Sequence, residues 1–263
     1  MQRFLSIAVE AARKAGTLLR DNFTGQRRIA YKGEVNLVTE MDTRSEHEVV
    51  SVLRTAFPDH GIVAEEETDT RNDSGYTWII DPLDGTTNYA HGYPCFAVSI
   101  ALEHDGDIIV GVVYDPMRDE LFSAHKGSGA WLNGRRIAVS ETDTLIRSLL
   151  ATGFPYDRKI SDKNNLDYFH DLLMASQEVR RDGSAALDLC SVAAGRFDGF
   201  WELKLKPWDV AAGSLIVNEA GGMVTDLSGN RFDMHGDETL ASNRKIHDQM
   251  IEALKKAAGK KRY

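Results

Sequence analysis

The period of the apolar residues changes twice along this chain, and those changes narrow the possible folds more than any other feature. Phe4, Ile7, Ala8, Ala11, Ala12, Ala15, Leu18 and Leu19 recur at helical spacing, which predicts an amphipathic helix ending near Asn22. A second helix is predicted from Thr39, where Thr39 and Asp42 have the spacing of a capping box. Its apolar stripe is Val49, Val50, Val52, Leu53, Ala56 and Phe57, and Pro58 and Gly61 end it. From Ile62 the period drops to two. Residues 62–65 and 76–81 read as strands, 95–103 and 107–114 as a hairpin turning at Asp105-Gly106, and 120–125 and 130–139 as a continuing antiparallel meander. The first half is thus expected to be two helices and an antiparallel sheet of about six strands.

Beyond residue 147 strands and helices alternate. Strands are expected at 148–152, 178–181, 197–202, 223–226 and 239–241, and helices at 162–176, 184–194, 210–220 and 243–256. Alternation of this kind predicts a layered α/β arrangement. A seam near residues 141–147 would divide the chain into lobes 1–143 and 144–263.

Composition excludes several classes. With 263 residues, 42% of them hydrophobic, the chain can build a core without a disulfide or metal staple. Its formal charge of −9 argues against a nucleic-acid or anionic-membrane binder. An anionic substrate stays open, because a bound cation inverts the local potential. Cys95 and Cys190 fit free, buried thiols in a reducing compartment. The longest dense apolar run, 108–114, is far short of the roughly 20 residues that span a bilayer. Glu10, Arg13 and Lys14 interrupt any secretory leader, so a cytoplasmic protein is expected. Phosphate-loop, dinucleotide, zinc-protease and serine-hydrolase motifs are absent. His91 and Cys95 lie four residues apart, but a free cysteine is more often buried filler than a nucleophile.

The chemistry lies in carboxylates. In Trp78-Ile79-Ile80-Asp81-Pro82-Leu83-Asp84-Gly85-Thr86-Thr87 a strand-like run ends in two acids on a Pro-bent turn, then a Gly-Thr step that can open a helix. Converging hard carboxylates beside a turn that accepts anions suit Mg²⁺, which takes a few carboxylates plus substrate phosphate oxygens. The plainer reading is a polar turn with a helix cap. Two further acids join the pattern: Glu65 at the end of the 62–65 strand, and Asp209 in Trp208-Asp209-Val210-Ala211-Ala212-Gly213 at the start of an apolar helix.

Together Glu65-Glu66, Asp81-Pro82-Leu83-Asp84-Gly85-Thr86 and the Trp208–Gly213 segment, in this order, resemble the inositol monophosphatase family. That family belongs to the lithium-sensitive, Mg²⁺-dependent phosphatases. The resemblance extends to Val35-Asn36-Leu37-Val38-Thr39 with Asp42, to Gly183-Ser184-Ala185-Ala186 and to Glu219-Ala220-Gly221-Gly222. Asn36 and Ala64 depart from the commoner Asp and Gly, and neither removes a catalytic group.

The resemblance implies an α/β/α/β/α sandwich and two to three Mg²⁺ ions per subunit. Glu65, Asp81, the Leu83 carbonyl, Asp84 and Asp209 would be their ligands, with a weaker third ion near Glu65. Asp42 and Thr86 would activate the attacking water, with Glu65 nearby. The Gly85 and Thr86 amides would hold the phosphate beside Asp84 and Asp209. Gly183, Ser184, Ala185 and Glu202 would meet the polyol, and Lys32 would add a distant positive charge. The implied reaction is hydrolysis of myo-inositol 1-phosphate, with fructose 1,6-bisphosphate or dual specificity as the alternative. An alternative of another class is a regulatory protein bound to the transcription machinery. A homodimer is also implied, with neither membrane nor direct nucleic-acid binding.

Overall fold

The computed structural model describes residues 1–24, 29–31, 37–70 and 72–257. Lys32 and the Val35-Asn36 part of the early motif lie outside the described residues. In chain order the elements are α1 (Gln2–Asp21), β1 (Ile29–Tyr31), β2 (Leu37–Thr39), α2 (Glu40–Ala56), β3 (Gly61–Ala64), β4 (Asp69–Thr70), β5 (Tyr76–Asp84), α3 (Thr86–His91), β6 (Ala97–His104), β7 (Asp107–Asp115), β8 (Glu120–His125), β9 (Ala130–Leu132) and β10 (Arg135–Ile137). A 3-10 turn, Leu145–Arg147, leads to β11 (Leu149–Thr152), α4 (Leu166–Ala175), β12 (Glu178–Arg180), α5 (Ala185–Ala193), β13 (Gly199–Leu203), α6 (Pro207–Glu219), β14 (Met223–Thr225), β15 (Glu238–Ser242) and α7 (His247–Ala257).

These elements stack as helix pair, sheet, helix pair, sheet, helix pair. The first sheet has the order β10-β9-β8-β7-β6-β5-β3-β4 and the second β12-β11-β13-β15-β14. Successive side chains of a strand face opposite sides, and the central strands of the first sheet are apolar on both. Trp78, Ile80, Ile100 and Val112 pack under α1 and α2. Ile79, Ala101 and Val113 face the other way and share a core with α5 and α6. A third core sets Leu150, Trp201 and Leu240 against Met250 and Leu254 of α7. Among the described residues, no helix is long and apolar enough to cross a membrane.

The middle helices are made of small residues. Gly111 of β7 faces α6, and a Cβ there would lie 2.7 Å from the Ala212 carbonyl oxygen. Residues 210–217 of α6 are all buried, so this helix is apolar all round, as suits a helix in the interior of a fold. Its first turn is carried inward with it, and that turn holds Asp209.

The layered reading holds, with four corrections to its details. The first sheet has eight strands and is not purely antiparallel, because β3 and β5 run parallel. The reason is the short β4, which folds back on the outer side of β3 before the chain returns as β5. The expected helix from residue 162 starts at Leu166, since Asn165 takes a left-handed conformation with φ 73°. The closing helix starts at His247 instead of residue 243: Arg244 has φ 72°, and Asn243 Oδ1 accepts the Lys245 and Ile246 amides in a local turn. Finally, α6 begins three residues before the expected Val210, at Pro207, where a missing N–H costs nothing.

Gly111→Ala is expected to lower stability by about 1–3 kcal/mol, because the added methyl forces α6 off the sheet. A melting temperature equal to that of the parent would show that this contact yields freely.

Candidate active site

The C-terminal end of β5 meets the first turns of α5 and α6 at a cavity of about 500 Å³. β5 reaches it through a bulge. Asp81 pairs with Ser99 and Asp84 with Ala97, so three steps along β5 match two along β6. Residues three apart on a regular strand face opposite sides, and the bulge supplies the extra step that turns both acids the same way. Pro82 sits within it, and a proline has no N–H to give a ladder. Ser45 of α2 donates to the Pro82 carbonyl at 2.6 Å, and the Leu83 amide donates to Asp81 Oδ1 at 2.9 Å.

Asp84 and Asp209 are each held by one oxygen. Asp84 Oδ2 accepts from Ser184 Oγ at 2.6 Å and from the Ala186 amide at 2.8 Å, both at the start of α5. Ser184 caps that helix, its hydroxyl accepting the Leu187 amide, and the same hydroxyl serves Asp84. Asp209 lies at the third position of α6, not at its cap, and Oδ2 accepts the Lys206 amide at 2.7 Å. Asp81, Asp84 and Asp209 each present an oxygen within 4.8 Å of the others'. An all-carboxylate donor set fits a hard divalent cation such as Mg²⁺.

Mutual repulsion shows in their acidity. Burial, then Glu65, Asp84 and Asp209, pushes the Asp81 carboxyl well above the usual range. Asp84 is pushed up to about 6 by burial, against the pull of its Ser184 and Ala186 donors. Asp209 is pushed up to about 7 by burial and by Asp84. Glu202 of β13 lines the same cavity, and burial with Asp209 and Asp84 pushes it up to about 8.

Asp42 and Thr86 meet across α2 and α3. Thr86 Oγ1 donates to Asp42 Oδ1 at 2.7 Å, with the Leu83 carbonyl as an alternative acceptor at 3.0 Å. The other oxygen, Oδ2, accepts the Thr39 amide at 2.8 Å and its hydroxyl at 2.6 Å. Asp42 is therefore a capping residue through one oxygen and a partner of Thr86 through the other. Burial raises its carboxyl, and the Thr39 and Thr86 hydrogen bonds work against that rise. Gly85, which precedes α3, has φ 98°, a conformation that favours glycine.

The structure brings Glu65, Asp81, Leu83, Asp84, Gly85, Thr86, Gly183, Ser184, Ala185, Glu202 and Asp209 to one cavity. Asp42 stands behind Thr86. Other contributors escaped the sequence reading. Glu46 is fully buried and accepts the amides of Glu66, Glu67 and Thr68, which sets the turn beside Glu65. Its spacing from Asp42 and Ser45 on one helix face was the available signal. Arg181, Asp188 and Tyr156 also line the cavity. The Tyr156 phenol is pushed up to about 12 by burial and by the carboxylates Glu65, Asp209, Asp84 and Asp81. Cys95 and Cys190 are free and buried, as expected, and burial pushes the Cys95 thiol up to about 12, which makes it a poor nucleophile.

Comparison with known proteins agrees over nearly the whole chain. The model of the inositol monophosphatase family matches residues 1–258. The inositol-1-monophosphatase of Synechocystis sp. is 46% identical over 256 residues, 97% of this chain and 89% of that one. Nus factor SuhB of Escherichia coli is 43% identical over 267 residues, 97% of this chain and all of that one. The solved inositol monophosphatase from Anabaena (Nostoc) sp. superposes with a TM-score of 0.90 at 47% identity, covering 97% of this chain and 96% of that one.

Without a cation the raised carboxyls hold protons more tightly in the fold than in the unfolded chain. Stability is then lost as pH rises through their folded values. The melting temperature of EDTA-treated protein is expected to fall from about pH 4, where carboxyls of the unfolded chain lose their protons, and to level off by about pH 8, past the folded values of Asp84, Asp209 and Glu202. Asp209→Asn should flatten that slope. An unchanged slope in the variant would place the repulsion elsewhere.

Proposed function

The chain belongs to the inositol monophosphatase family, and from that premise we propose that it hydrolyses myo-inositol 1-phosphate to inositol and phosphate, with Mg²⁺ as its cation. The convergence of Asp81, Asp84 and Asp209 beside the Thr86–Asp42 pair supports this reading most directly. These three acids, with Glu65 and the Leu83 carbonyl, would hold two to three ions. Bound Mg²⁺ supplies charge neutralisation and Lewis-acid polarisation of the phosphate.

The chain's own groups supply the rest. Thr86 donates its hydroxyl proton to Asp42, so its lone pairs are turned outward to accept a proton from water. Asp42 is the base at the end of that relay. The first amides of a helix have no partner within it, which suits Gly85 and Thr86 to hold a phosphate oxygen. Glu202 and the Gly183-Ser184-Ala185 backbone face the leaving polyol, with Glu202 as a hydrogen-bond acceptor. Fructose 1,6-bisphosphate is the alternative substrate, and a wider set of sugar phosphates would meet the same groups.

A regulatory role in transcription is the second reading, carried by the likeness to the E. coli Nus factor. Its partner would be a protein, since a net charge of −9 disfavours nucleic acid. We also propose a cytoplasmic homodimer; Ile146, Leu173 and Met174 are exposed apolar side chains available for its seam.

Phosphatase activity on myo-inositol 1-phosphate is expected to vanish in EDTA and return with Mg²⁺, which should also raise the melting temperature. Full activity in chelator would sink the metal-dependent reading. Asp42→Asn should cut turnover at least about a hundredfold, the scale of general-base catalysis. If the variant keeps its turnover and only melts earlier, Asp42 is a cap alone. Glu202→Gln should lower the preference for inositol phosphate over an aryl phosphate. Equal losses on both substrates would assign Glu202 to the fold or the cations.

A further inference from the structure

Six aspartates are buried: Asp42, Asp81, Asp84, Asp115, Asp188 and Asp198. Five accept hydrogen bonds from the protein, as buried carboxylates should. Asp188 is the exception. It is 2% exposed, and among the described residues nothing donates to its side chain. It lies on α5 one turn after the Ser184 cap, and it lines the cavity. It is not in the cluster of Asp81, Asp84 and Asp209.

Its surroundings select the ligand. Burial, then Asp182, Glu202 and Asp84, disfavours its charge while Arg181 favours it, and the same Arg181 acts on Glu202. A second anion would meet two carboxylates, and a cation would meet the arginine. A hydroxyl donates to a carboxylate and accepts from a guanidinium, so it satisfies both kinds of neighbour. We propose that Asp188 and Glu202, with Arg181 beside them, form a clamp for neighbouring hydroxyls on the leaving group, and that Asp188 thereby determines specificity for polyol phosphates. The inference rests on the phosphatase reading above. It adds a recognition residue that works at the far side of the substrate from the reacting phosphorus.

The test compares kcat/KM for myo-inositol 1-phosphate and for p-nitrophenyl phosphate, which has no hydroxyl to clamp. Asp188→Asn should lower the ratio of the two at least about tenfold, the worth of one charged hydrogen bond, chiefly through KM for the polyol. Competitive inhibition by free myo-inositol should weaken alongside it. A ratio within about twofold of the parent, or equal losses on both substrates, would overturn the proposal. A second arm needs no variant: single-deoxy inositol 1-phosphates are assayed on the parent protein. Loss of one or two particular hydroxyls should raise KM about tenfold, and a flat series would overturn the clamp even where Asp188→Asn fails to fold. A parent protein that hydrolyses neither phosphate would instead refute the phosphatase reading itself.

Discussion

Carboxylates brought within 4.8 Å of one another repel, and burial removes the water that would screen them. Much of the molecule can be read as the means of holding Asp81, Asp84 and Asp209 together against that force. The bulge in β5 turns two of them to one side. α5 holds Asp84 by a hydroxyl and an amide. α6, packed close against Gly111, carries Asp209 in from a third element. Each acid is tied through one oxygen, and a divalent cation bound among them would offset the charge of the cluster.

Division of labour within single side chains recurs around the cavity. Asp42 closes a helix with one oxygen and receives Thr86 with the other. Ser184 accepts the Leu187 amide as a cap while donating to Asp84. Helix ends supply these residues because their backbone groups need partners in any case. A side chain placed there for stability is already oriented and already desolvated, which are the two conditions a reacting group requires.

The layers were legible in the sequence because apolar periodicity reports burial directly, and α1, α2 and most strands of the first half follow it. The parallel β3–β5 pair was not, because strand direction depends on the path of a connection and not on local pattern. The acids Asp81, Asp84 and Asp209 stood out as motifs at the ends of apolar runs. Glu46 left only its spacing from Asp42 and Ser45, and Asp188 left no signal: it sits inside a helix where a charged residue ordinarily faces water, and only tertiary packing shows that it is buried. Asp209 carried a partial signal, since its place on a helix was readable and its role inside the first turn was not.

The first turn of α5 serves two masters. Ser184 and the Ala186 amide fix Asp84, while Asp188, one turn on, meets no protein donor among the described residues. Change at the first two positions would disturb the cluster itself, whereas Asp188 and Glu202 can vary without loosening any hydrogen bond among the acids. Divergence of this scaffold toward new leaving groups therefore has a narrow door. Descendants that keep the hydrolytic apparatus are free to drift at two acids on separate elements, and a duplicate gene could change its substrate there before it changed its chemistry.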